Sequence, residues 1–224
     1  MFRMVGILFG VLVFGCSTLG VSGPQGKEPL PIPHPFPYPC DGPYKGKKLS
    51  EGDVSQELEA HKYWLADSKD PKGHQANFCG AKFPLRSNFQ GADLRYAIFQ
   101  MAMLGGKQKA VLVGANFTGA KLNEAQLQGA NLSKADFSKA DLTKAGLDDA
   151  MLHLATFEKA DLREASLRHT MLYQAKFHEA KLHHAKLQGV GLKDVEGLTQ
   201  PQINMACLDG NTILPTDLTR PERC

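Results

Sequence analysis

Aromatic side chains, net charge and long apolar runs are all scarce in this chain. Aromatics make up 8% of it, and Trp64 is the only Trp. The formal charge is +3 over 224 residues, so the composition does not point to a strongly charged partner. The apolar stretch Val5 to Phe14 is too short to span a bilayer. There is no Gly-x-Ser-x-Gly elbow, no Gly-rich phosphate loop and no Cys-x-x-Cys pair, so no catalytic residue is nominated and no cofactor is expected. His178, Glu179 and His183 approach a zinc-protease pattern, but the histidines are five apart where one helix face needs four.

What is present is a period of five. From Leu112 to Leu192 every fifth residue is Leu or Phe, and two places before each sits Ala, except at Thr170 and Val190. Neither the helix period of 3.6 nor the strand period of 2 gives that spacing. A short fixed repeat predicts a solenoid, because one unit cannot bury its own apolar side and stacked neighbours can. Phe117, Phe137, Phe157 and Phe177 recur at twenty, so four units close one coil. The interior then holds a Leu/Phe column and a narrow Ala column on each side.

Units such as Ala130-Asn-Leu-Ser-Lys134 and Ala140-Asp-Leu-Thr-Lys144 resemble the pentapeptide-repeat family. The resemblance implies an all-β solenoid, a right-handed quadrilateral β-helix, with short α-helical caps at both ends. Six further units precede the regular array, at Ala76/Phe78, Ala81/Phe83, Ser87/Phe89, Ala92/Leu94, Ala97/Phe99 and Ala102/Leu104. If the interruption at Gly105–Lys109 hides one degenerate side, Phe78, Phe99 and Phe117 fall on a single face. The repeat domain is placed at 76–197.

Residues 1–23 read as an export signal, with Arg3 ahead of the apolar run. Val13-Phe-Gly-Cys16 resembles a bacterial lipobox, which implies a lipid on Cys16; ordinary cleavage nearer Gly20 or Gly23 is the alternative. Ser17 after that Cys favours the outer membrane, by resemblance to sorting in enteric bacteria. The expected location is exported: periplasm or outer membrane, with a lipid anchor as the membrane contact. Residues 24–49 read as a tether, since Pro occupies every second position from Pro29 to Pro39. Alternating Pro favours an extended polyproline-II-like spacer, and the stretch from Pro24 to Pro43 reaches up to about 60 Å at ~3.1 Å per residue.

Over 50–75 the sequence predicts a capping helix and its link to the repeat. Ser50 or Asp53 caps it, and Val54, Leu58, His61 and Leu65 share one face. Residues 198–224 read as a second cap: a short helix over 199–207 with Pro201 in its first turn, then a loop at 209–215. Without Cys16, four cysteines remain: Cys40, Cys79, Cys207 and Cys224. In an exported chain that suggests two disulfides. Three pairings exist; Cys40–Cys79 with Cys207–Cys224 would staple each cap to its neighbour.

Recognition is left to outward positions. Some family members are acidic tubes that resemble duplex DNA and bind topoisomerases. Here residues 76–194 carry 16 Lys and Arg against 11 Asp and Glu, a net +5 in a mixed pattern, so neither DNA mimicry nor nucleic-acid binding is expected. One side differs from the rest, gathering Val111, Val113, Met151, Leu154, Met171 and Tyr173. Such a strip is either a contact surface or a bed for the tether or tail. The expected function is a non-catalytic envelope scaffold binding an unidentified protein, with homodimerisation left open. The alternative is a metal- or small-ligand-binding protein using His153, His169, His178, His183 and His184, with His178, His183 and His184 as the weak metal candidates.

Overall fold

Small inward residues and a left-handed corner residue repeat along the chain, and together they dictate its path. The computed structural model describes residues 40–106 and 110–221. The signal segment, Cys16, the Pro-rich run before residue 40 and Cys224 lie outside the described residues.

From Ala110 onward the five-residue units repeat three features, with few exceptions. The Ala and the Leu or Phe of a unit point inward and are fully buried, as at Ala130 and Leu132. The residue between them forms one parallel bridge to the next coil, as in Asn131 to Met151 and Met151 to Met171. The last residue of the unit takes a positive φ, as at Lys134 (61°), Lys139 (59°) and Lys144 (59°), with Asp194 in the final regular unit an exception. A hydrogen bond then closes each corner, such as Ala135 N–H to Leu132 O at 3.0 Å. One positive φ at the third residue of a closed four-residue turn is the geometry of a type II turn. Bridges recur at twenty residues, as in Asp136–Thr156–Lys176, so the tube has four sides.

We call the side of Leu112, Leu132, Leu152, Leu172 and Leu192 the first; the Phe117, Leu122 and Leu127 columns follow as second, third and fourth. On the second side Phe117, Phe137, Phe157 and Phe177 stack with ring centroids 5.0, 5.1 and 4.8 Å apart. Thr170 stands in an Ala position and is buried; its hydroxyl donates to Leu167 O at 2.8 Å, so no polar atom is stranded.

The interruption after Leu104 differs from expectation. It hides no side. Ala110 N–H donates to Leu104 O at 3.0 Å, so these two residues meet at one corner. Asn77 bridges Ile98, and Ile98 bridges Lys121, which puts Phe78 and Phe99 on the third side beneath Leu122. Phe117 instead lies over Leu94 through the Asp93–Asn116 bridge. Phe99 still touches Phe117 across the corner, at 5.6 Å between centroids.

The ends carry more of the repeat than the sequence phase suggests. Lys48 bridges Lys82, and Leu49 is buried in the core, so the chain has joined the solenoid before residue 49. Past the last regular unit, Cys207 bridges Lys186 and Ile213 bridges Gly191. Ala206 and Thr212 fill inward small positions there, while Leu208 and Leu214 pack on the core. The 209–215 segment is thus part of another coil rather than a free loop. Thr212 is tied in by its hydroxyl, which donates to Leu187 O at 2.9 Å.

Helix α1 spans Glu51–Ala66. Ser50 and Asp53 cap it jointly: Ser50 Oγ accepts from Asp53 N–H, and Asp53 accepts from Ser50 N–H at 2.7 Å. Val54, Glu57 and His61 are its buried residues. Helix α2 spans Gln200–Met205, with Thr199 as N-cap. Gln202 fastens it to the last regular coil by donating to Phe177 O and Ala180 O at 2.8 and 2.9 Å. Cys40 and Cys79 are joined by a disulfide, with Cα atoms 5.6 Å apart. Cys207 is also disulfide-bonded.

Candidate functional site

A tube whose inside is filled can recognise only with its skin, so the outward positions decide. On the second and third sides these are charged and hydrogen-bonded to one another. Arg163 donates to Asp161 at 2.8 Å, and Lys181 lies 3.6 Å from the same carboxylate. Partial burial pushes the Asp161 pKa up, but the Arg163 hydrogen bonds and charge outweigh it and the net shift is downward. Lys159 lies 3.5 Å from Glu179 on an exposed corner. Exposed pairs of this kind add little stability and mark a solvated surface.

The first side is different. Its bridging column runs Asn88, Val111, Asn131, Met151 and Met171 through successive parallel bridges, and Gly191 bridges Ile213 one coil on. Leu154, Met171, Tyr173 and Ile213 are 43, 55, 54 and 57% exposed. Val111, Val113 and Met151 are half-buried beside them. The described part of the C-terminal tail does not cover this strip; it stacks on the end of the tube and adds Ile213 to it. Sequence reasoning missed Ile213 because its neighbours, Asp209 to Pro215, read as turn residues.

The histidines are dispersed. His153 is on the first side, His178 on the second and His183 on the third, each in the residue after the inward Leu or Phe. His169 and His184 occupy left-handed corners, with φ of 55° and 56°. His183 and His184 meet edge to face at 4.9 Å. Among the described residues no group of three His, Cys, Asp or Glu side chains converges on a point where a metal would sit.

One polar cluster was not foreseen. Glu57 lies on the buried face of α1 and is 4% exposed. Its carboxylate accepts from Asn77 N–H at 2.9 Å and from Tyr44 Oη at 3.2 Å, and His74 Nε2 lies at 3.1 Å. The signal was legible, since Glu57 falls on the same helical stripe as Val54, Leu58 and His61. Beside it, a cavity of about 250 Å³ opens between α1 and the first coil, lined by Val54, Leu58, Arg86 and Asn88. That is smaller than the roughly 300–1,000 Å³ usual for small-molecule sites.

With this geometry in hand, the profile described as pentapeptide repeats (8 copies) matches residues 74–106, 110–149 and 150–189. The chain belongs to the pentapeptide repeat family. As a pentapeptide repeat protein it is similar to one of the Arabidopsis thaliana thylakoid lumen, with 30% identity over 45% of this chain and 68% of that one, TM-score 0.31. It is similar to HetL of Nostoc sp., described as involved in heterocyst differentiation regulation, with 28% identity, 64% and 65% of the two chains, TM-score 0.20. It is also similar to QnrB1, a plasmid-mediated fluoroquinolone resistance protein, with 18% identity, 58% and 76%, TM-score 0.31. No curated protein matches the chain.

Proposed function

We propose that this pentapeptide repeat protein is a non-catalytic scaffold of the cell envelope that binds a protein partner through its first side. One observation carries the reading: Leu154, Met171, Tyr173 and Ile213 expose large apolar side chains on one side of a tube whose second and third sides are charged. Removing such a strip from water is favourable, at about 25 cal/mol per Å² of apolar surface.

The envelope location rests on the export-signal pattern of residues 1–23, with Cys16 as the lipid-bearing residue and the Pro-rich run as a spacer. The disulfide at Cys40–Cys79 fits an oxidising compartment. We read α1 and α2 as lids that keep the open strand edges of the tube from pairing with other chains. We take the hand of the coil as right-handed, from the family resemblance. The test replaces Met171 and Tyr173 together with Glu and measures envelope pull-downs and assembly state. Loss of association with an unchanged melting profile supports the reading; unchanged association removes the first side as a recognition surface.

A further inference from the structure

Two of the three outward columns of the first side pair about one midpoint; the column between them sets Ser133 against Lys193 and His153 against Tyr173. Beyond Asn88, which has no counterpart at the other end, the bridging column reads Val111, Asn131, Met151, Met171, Gly191, Ile213. About the midpoint between Met151 and Met171, apolar Val111 answers apolar Ile213, polar Asn131 answers Gly191, and Met answers Met. The adjoining corner column reads Lys134, Leu154, Gln174, Asp194. Its ends carry opposite charges at equal distances from the same midpoint. A coil height of about 4.8 Å sets Lys134 and Asp194 roughly 14 Å apart along the tube.

We propose that the first side binds a second copy of this chain, side by side and antiparallel, about a twofold axis passing between the Met151 and Met171 coils. The proposal rests on the first side being the recognition surface and names what it recognises. A twofold axis lying in the interface along the strands maps each column onto itself in reverse order. Met151 then meets the partner's Met171, Leu154 meets the partner's Gln174, and Lys134 meets the partner's Asp194, each contact occurring twice. A parallel arrangement leaves Lys134 and the partner's Asp194 three coils apart and pairs neither charge.

Both charges are available for such a contact. Among the described residues Lys134 has no carboxylate within ion-pair distance, and Asp194 reaches only Lys193, at 4.0 Å. Gly191 is the small member of its pair: a Cβ built on it would meet nothing within 4 Å, so the surface there is open to a partner's side chain. Two exposed Met side chains at the centre suit a self-contact, since their flexible thioethers fill irregular gaps.

The size of the face limits the affinity. Five coil steps of about 4.8 Å by four residues of about 3.3 Å give a footprint of roughly 300 Å². Stable interfaces bury about 800 Å² per partner, so the dimer is weak in free solution. Anchoring both copies to one membrane would raise their effective concentration and favour pairing.

The experiment is sedimentation velocity of the purified full chain from about 10 μM to 1 mM, with circular dichroism to verify folding. The wild type is expected to dimerise reversibly within that range. Lys134→Glu and Asp194→Lys should each weaken the dimer at least threefold, because each places like charges opposite one another twice. The double variant Lys134→Glu/Asp194→Lys should restore the wild-type constant within about twofold, because every pair is then complementary again. Only a self-contact is rescued in this way. A chain monomeric at 1 mM overturns the proposal, as does a double variant no better than the single ones. If the wild type stays monomeric while Met171→Glu/Tyr173→Glu abolishes an envelope pull-down, the dimer is wrong and the recognition surface stands. If neither dimer nor pull-down exists, both are wrong.

Discussion

The Nδ1 atom of His61 accepts the backbone N–H of Ala76 at 3.1 Å and so couples α1 to the first inward Ala of the solenoid. His61 is fully buried and stacks on Trp64 with centroids 5.5 Å apart. Its Nε2 has no hydrogen-bond partner among the described residues. Burial lowers the His61 pKa; the Asp93 and Glu57 carboxylates oppose this, and the Arg95 guanidinium adds to it. Protonation would remove the lone pair that holds Ala76 and leave a charge in a dry site.

The folded state therefore binds this proton more weakly than the unfolded chain, whose His titrates near 6.5. Stability from this group is full above that value and is lost as the pH drops below it, with a limiting slope of about 1.4 kcal/mol per pH unit. Urea titrations at pH 7.5 and 5.5 measure it. His61→Phe should lower stability at pH 7.5 by about 1–3 kcal/mol, from the stranded Ala76 N–H, and flatten the pH dependence. An equal pH dependence in both proteins contradicts this role.

The Cys40–Cys79 disulfide closes a loop of sequence separation 39 that contains the whole of α1. In the chain-entropy picture such a cross-link contributes up to about 4 kcal/mol. Cys40→Ser/Cys79→Ser should unfold at lower urea and expose α1 to protease before the coils. Limited proteolysis with mass readout checks the order of cleavage; first cuts within the coils, with α1 intact, would contradict it.

Gly119 and Lys139 hold the same corner in successive coils, with φ of +66° and 59°. A Cβ at Gly119 would come 2.7 Å from a Tyr96 ring carbon. Gly119→Ala should cost about 1–2 kcal/mol, from left-handed strain and displacement of Tyr96. Lys139→Gly should change stability by less than about 1 kcal/mol, because relieved strain and added unfolded-state freedom oppose each other. Urea midpoints of the two variants test the contrast.

The interior was legible because its cause is local and repeated. Leu132 and Ala130 announce themselves by period, and no long-range fact is needed to turn them inward. The side that each early unit joins was not legible in this way. Phe99 is expected on the Phe117 column but lies under Leu122, because the chain between Leu104 and Ala110 adds no side. At the far end, Thr212 and Leu214 keep the inward pair after the spacing has failed, and a strict count loses them. Glu57 could be placed on the helix stripe, but the Asn77 N–H it accepts comes from the other side of a fold boundary. On the surface, Val111, Met151 and Met171 could be grouped from the repeat alone, whereas Ile213 needed the Gly191 bridge.

Ala155 and Thr156 are neighbours in sequence and opposites in the fold. Ala155 is fully buried, while Thr156 bridges Asp136 and Lys176 with its side chain outward. Thermal melts of Ala155→Arg and Thr156→Arg therefore test the square-spiral interior more directly than any other pair. Ala155→Arg should abolish the cooperative transition, because an inward charge in a filled tube finds neither space nor water. Thr156→Arg should stay within about 0.5 kcal/mol of the parent protein. Equal effects, or the reverse order, would contradict the inward assignment.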